Sequence, residues 1–160
     1  MGCAKMNTGP YSDEKVQKFI EEQFIPLKSQ CFWDRPTDLM KRFEIKWTPT
    51  FLVHDSEGKE HHRFVGYVPV DDFLAQLELG KGKVFFDADQ FAEAIAQFQT
   101  VIERHPNAGA TPEAIFFLGV AGYKHTHDPK PLRRIWDTLS SKYPQNEWTR
   151  RAEAYSEIPL

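Results

Sequence analysis

After Gly80 no stretch of the chain alternates apolar and polar side chains with a period of two; from there on, apolar residues recur every three or four positions. A chain whose strand signals all lie in its first half cannot close one sheet or barrel over its whole length. It must join an α/β unit to an all-α unit, and the expected division is 1–79 and 80–160. Each part is small for a domain. The 13 phenylalanines among 160 residues, against 4 Trp and 5 Tyr, supply large apolar rings for a substantial core.

The all-α part is read from periodicity and breakers. Gln90 to Glu103 places Phe91, Ala94, Ile95, Phe98, Val101 and Ile102 on one face and stops before His105-Pro106. Thr111-Pro112-Glu113 starts the next helix, which carries Ile115, Phe116, Leu118 and Tyr123. Asp128-Pro129 precedes another, with Leu132, Ile135, Trp136 and Leu139, ending at Tyr143-Pro144. Glu147 to Tyr155 forms a last short helix. The two helix ends at Pro106 and Pro144 lie 38 residues apart, an interval that suggests a repeat.

The first part mixes signals in the order α, β, α, β, β, α. Ser12 to Phe24 predicts a helix capped by Ser12, with Val16, Phe19, Ile20 and Phe24 buried; Gly9-Pro10 breaks any helix begun near Cys3. Ile25 to Ser29 is an edge-strand candidate because of Pro26. Thr37 to Phe43 reads as helix. Thr50 to Val53, the turn Asp55-Ser56-Glu57-Gly58 and Glu60 to Gly66 read as a hairpin, and Asp71-Asp72 open a helix carrying Phe73, Leu74, Leu77 and Leu79.

Composition excludes several classes. A net charge of −3 with no basic stripe argues against nucleic acid, and the longest apolar stretch, Ala114 to Gly122, is too short to span a bilayer. Met1-Gly2-Cys3-Ala4-Lys5-Met6 has neither the charged nor the apolar segment of a signal peptide, so the expected compartment is the cytoplasm. Two cysteines cannot build a disulfide framework. His61 and His62 are neighbours in a strand and point to opposite faces, and His125 with His127 lack a completing Cys or carboxylate. Neither a metal nor an organic cofactor is expected.

Cys3-Ala4-Lys5-Met6, Tyr11-Ser12-Asp13, Val16, Trp47-Thr48-Pro49-Thr50 and Gly66-Tyr67, taken together, resemble the thioredoxin-like family, in the subgroup with a long active-site helix. The resemblance covers about residues 1–79. It implies an α/β thioredoxin-like fold, a cis Pro49 beside the reactive sulfurs, and a Thr48 that offers its backbone to an extended substrate, with Trp47 on the same face. Two registers fit Cys3. Aligned on Tyr11-Ser12-Asp13, Cys3 is the second, resolving cysteine, and the nucleophilic Cys or selenocysteine position falls just before Met1, with the first strands missing. Alternatively Cys3 is the nucleophile and Met6 replaces the second Cys, which requires a three-residue shift. A reading frame opened at an internal Met, a selenocysteine codon taken for a stop and a shortened chain each account for such a start. With the central strand missing, the segments near 25–30 and 50–55 should not pair with each other.

The second half resembles tetratricopeptide-type helical hairpins. Gly82, Phe85, Ala94, Phe98 and Pro106 fall in the family register, and Leu118-Gly119, Leu132, Trp136 and Pro144 repeat it with one extra residue before Leu132. The departure lies at His125-Thr126-His127-Asp128-Pro129, where the inter-helix turn is longer.

These resemblances imply a thiol-disulfide oxidoreductase or redox adaptor acting on protein disulfides, impaired in this chain if the nucleophilic Cys or selenocysteine position falls before Met1, with Cys3 as the catalytic thiol and Trp47, Thr48 and Pro49 as the substrate-binding set. The implied partners are a protein disulfide substrate or a reductase, with a possible peptide partner for the helical hairpins. One motif thiol cannot run a two-thiol cycle by itself, and Cys31, beside Phe32-Trp33, reads as a bystander. The rival class is a non-catalytic interaction module using the Thr48-Pro49 groove and the helical repeats.

Overall fold

The computed structural model describes residues 1–160. Gly9-Pro10 acts as the breaker it promised to be. Helix α1 spans Gly2–Thr8, and a 3-10 turn at Pro10–Ser12 leads into α2, Glu14–Gln23. The cap of α2 is Asp13 rather than Ser12. The Asp13 carboxylate accepts from the N–H groups of Lys15 at 2.9 Å and Val16 at 3.2 Å, while the Ser12 hydroxyl turns back to the Asn7 carbonyl. Thr37 caps α3, Asp38–Arg42, by accepting from the Met40 N–H at 3.2 Å.

Strands β1, Thr50–His54, and β2, Glu60–Val65, form an antiparallel hairpin with Thr50 opposite Val65 and a bulge at Val53/His54. Asp55 fastens its turn, accepting from the N–H groups of Glu57 at 2.9 Å and Lys59 at 3.0 Å. This two-stranded sheet is the whole of the β structure. The strand expected over Ile25–Ser29 does not form. Pro26 has no N–H to give to a ladder, no strand lies alongside, and Ile25 and Leu27 stand fully or largely in solvent. Because no strand forms here, the expected lack of pairing between this segment and β1 is not tested.

Helix α4 runs from Val70 to Asp87 without interruption, so the change of period at Gly80 falls inside it. The two units expected at 1–79 and 80–160 therefore share a helix in place of a linker. Phe73 and Leu77, one turn apart, join Met6, Val16 and Val53 in a core beneath the hairpin. Ala75 and Leu79 lie on the opposite side of the helix and join Ala94, Phe98, Val101, Ala114 and Ala121 in a second core. Two close approaches fix α4 in place. A Cβ on Gly80 would lie 2.7 Å from a Val53 methyl carbon, and one on Gly82 would collide with the Phe98 ring.

The remaining helices are α5, Phe91–Arg104; α6, Thr111–Thr126; α7, Lys130–Lys142; and α8, Glu147–Ala152, followed by a 3-10 turn at Glu153–Glu157. Each of α4 to α7 packs on the next. The long turn before α7 is made by His127, the left-handed residue (φ 58°) that ends α6.

Contacts recur along this half. The Thr111 hydroxyl donates to the His105 carbonyl at 2.5 Å, and the Thr149 hydroxyl to the Tyr143 carbonyl at 2.6 Å; each carbonyl belongs to the residue before a proline. Gly119 takes the Ile135 side chain as Gly82 takes Phe98, sixteen residues on in both cases.

The hairpin is tied to α4 by polar groups as well. His61 bridges the Asp55 carboxylate (Nε2, 2.8 Å) and the Asp87 carboxylate (Nδ1, 2.6 Å). Burial alone would push His61 down, but the two carboxylates outweigh it and hold its pKa above the ordinary value. Asp55 is correspondingly pulled down to about 2, first by its hydrogen bond to His61. The adjacent His62 is buried with Nε2 at 2.6 Å from Gln76 Oε1 and Nδ1 at 3.1 Å from Lys83 Nζ. Burial and the Lys83 charge push it down to about 4, so it is neutral.

Candidate functional site

A cleft of about 360 Å³ opens where α1 meets the turn before β1, and its walls include Cys3, Trp33, Trp47, Thr48, Pro49 and Tyr67. All four residues singled out from the sequence, Cys3, Trp47, Thr48 and Pro49, are therefore brought together at one place. Their assembly follows from the local folding. Met6, one turn after Cys3 on α1, is fully buried against the hairpin core. That anchor presses the start of α1 onto the Thr48–Pro49 turn, and Gly2 permits the approach: a Cβ there would lie 3.0 Å from Pro49 Cδ. The Thr48–Pro49 peptide bond is cis, as the resemblance implied.

The floor of the cleft is hydrogen-bonded and its rim carries aromatic side chains. The buried Pro49 passes its carbonyl to the Gly66 N–H at 2.8 Å, and the Thr50 hydroxyl donates to the Trp47 carbonyl at 2.7 Å. Between them the Thr48 N–H and C=O take no hydrogen-bond partner within the protein. A half-buried peptide group in that condition is available to a visiting main chain. Trp47 is 67% exposed and Trp33 52%, with ring centroids 6.4 Å apart, so the pair forms an apolar wall standing in solvent.

Cys3 is a free, exposed thiol within α1 itself, one residue beyond its first. Tyr11 lies behind it, packed edge-on against Phe51 at 6.4 Å and Phe73 at 5.9 Å. Its hydroxyl is pushed up to about 12, first by burial and then by the nearby Cys3 charge. Lys5 Nζ stands 4.3 Å over the Tyr67 ring.

Trp33 was missed as a site residue. Its signal was slight: an aromatic pair, Phe32-Trp33, in a polar stretch without periodicity. No group of three or more His, Cys, Asp or Glu side chains is arranged to hold a metal ion. No helix is long and apolar enough to cross a membrane.

A small sheet carrying a cis-proline turn, with a cysteine-bearing helix start laid on that turn, defines the class. Residues 1–81 match the family described as thioredoxin-like domain, and the chain belongs to that family. A curated relative, the outer membrane protein assembly factor BamD of Caulobacter vibrioides, is 34% identical over 79 residues, which is 49% of this chain and 26% of that protein. The chain thus spans about a quarter of that relative's length. No solved structure matches the chain.

Proposed function

We propose that the cleft is a thiol-disulfide exchange site for an extended polypeptide, with Cys3 as the attacking thiol. The observation that carries this reading is the co-location of an exposed Cys3 with the unpartnered Thr48 peptide group and the Trp33–Trp47 wall. Main-chain hydrogen bonds at Thr48 hold a substrate segment, the indoles cover its side chains, and the Cys3 thiolate attacks a disulfide sulfur laid beside it. The partners in this reading are a protein disulfide substrate or a reductase.

The test is trapping with a peptide disulfide. Cys3 is expected to form the mixed disulfide, Cys3→Ser to abolish it, and Trp47→Ala to slow it about tenfold through lost binding of the segment. Preferential reaction at Cys31, or capture by Cys3 no faster than by an unstructured thiol peptide, overturns the reading.

A second reading is favoured by the same unpaired backbone and by the helical half. The threonine-to-carbonyl contacts at 38-residue spacing and the Gly82/Phe98 and Gly119/Ile135 pairs support tetratricopeptide-like hairpins over α4 to α8. In that reading the chain is an interaction module that binds extended peptides without chemistry. Peptide binding that survives Cys3→Ser undiminished, with neither a mixed disulfide in Cys31→Ser nor an oxidised thiol in the wild type, selects it.

A further inference from the structure

Residues 25–36 connect α2 to α3 with neither helix nor strand, and no backbone–backbone hydrogen bond involves any of them. Eleven of the twelve are exposed. The one that is partly covered is Cys31. Contacts on either side of Cys31 hold this segment against the helix that bears Cys3. Upstream, Lys28 Nζ reaches Asn7 Oδ1 at 3.0 Å and stands 4.8 Å over the Tyr11 ring, which fastens the segment near the far end of α1. Downstream, Trp33 forms the cleft wall beside Cys3 and packs on Trp47. Cys31 thus lies on a strap drawn along the helix that bears Cys3.

We infer that Cys31 is the resolving thiol of this site, closing an intramolecular disulfide with Cys3 once Cys3 has captured a substrate. The inference rests on the reading of Cys3 as the attacking thiol. Trp33 shares the cleft with Cys3, and Cys31, two residues from Trp33, has its Cα at most about 7 Å from that of Trp33. A disulfide needs Cα atoms roughly 4.4–6.8 Å apart, and a strap without ladder hydrogen bonds can move toward Cys3 without breaking secondary structure. The charge on Cys3 is also felt at Cys31: burial first, and then Cys3, push the Cys31 thiol up from its ordinary value.

The exchange balances in two steps. The Cys3 thiolate attacks a substrate disulfide; a Cys3–substrate bond forms, the substrate S–S bond breaks, and one substrate sulfur leaves as thiolate. The Cys31 thiolate then attacks the Cys3 sulfur; the Cys3–Cys31 bond forms, the mixed disulfide breaks, and the second substrate sulfur leaves and takes up a proton. Two electrons pass from the protein to the substrate. A dithiol reductant returns the protein to its reduced form.

The experiment uses the full chain and its Cys31→Ser and Cys3→Ser variants, each confirmed folded by circular dichroism. Each is exposed to glutathione disulfide, quenched in acid and analysed by intact and peptide mass spectrometry. Cys31→Ser is expected to accumulate a stable glutathione adduct at Cys3. The wild type is expected to show at least tenfold less adduct and a Cys3–Cys31 cross-linked peptide, closing faster as pH rises because the attacking form is the thiolate. A wild-type adduct as long-lived as that of Cys31→Ser, or disulfides found only between chains, overturns the inference while leaving Cys3 as the attacking thiol. No adduct at Cys3 in Cys31→Ser overturns both.

Discussion

The two halves of the molecule satisfy their apolar residues and their backbone in different ways. From α4 onward each helix packs on its successor, Phe98, Val101, Ala114 and Leu139 are fully buried, and few large apolar side chains stand in solvent. Before Val70 the sheet has two strands, a twelve-residue strap has no backbone ladder, and Ile25, Leu27, Phe32, Trp33, Trp47 and Val65 are exposed. The cleft belongs to this second kind of structure. Unpaired peptide groups and exposed indoles cost stability, and here they gather around the proposed binding cleft. The helical half buries its large apolar side chains, and the N-terminal half carries the cleft with its exposed thiol and indoles.

The sharpest way to break this contrast is to damage the stable side. Phe98→Ala empties the fully buried space against Gly82 and is expected to cost about 3–5 kcal/mol and roughly 6–20 °C of melting temperature. Because α4 contributes to both cores, the hairpin amides should lose hydrogen-exchange protection together with those of α5. Protection lost in α5 alone would show that the halves unfold independently.

A smaller effect is expected at the His61 bridge. The raised pKa of His61 means that its contribution is full below about pH 6.5 and is lost as pH rises through the raised value. The lowered pKa of Asp55 means that its contribution is full above about pH 4 and is lost on falling toward pH 2. The hairpin should therefore be most firmly held to α4 between about pH 4 and 6.5. His61→Asn should flatten that profile in hairpin hydrogen exchange; an unchanged profile would remove the bridge from the account.

Asp13→Ala is the mildest test. Loss of a cap accepting two N–H groups should cost about 1 kcal/mol and loosen α2 while leaving α5 to α8 unchanged by NMR chemical shift.

The helices of the second half were legible because a 3.6-residue period and proline breakers report burial directly, and Phe91 to Arg104 and Thr111 to Thr126 form where the pattern puts them. The hairpin was legible from its turn and its alternation. Ile25–Ser29 misled because apolar residues beside Pro26 look like an edge strand whether or not a neighbour exists to pair with them. The shared helix was hidden for another reason. Phe73 and Leu77 serve one core while Ala75 and Leu79 serve the other, so α4 is apolar on two sides and its pattern marks no boundary. At the candidate site, Cys3, Trp47, Thr48 and Pro49 were found by motif, whereas the place of Trp33 and the partial covering of Cys31 depend on how an aperiodic segment is laid near α1, which no local pattern encodes.

An 18-residue helix is about 27 Å long, and α4 is inserted into two cores along that length with no joint between them. It behaves as a splint. The halves cannot be exchanged between chains like beads on a string, and a cut at residue 80 would leave each side holding half a rod whose apolar flank has lost its cover.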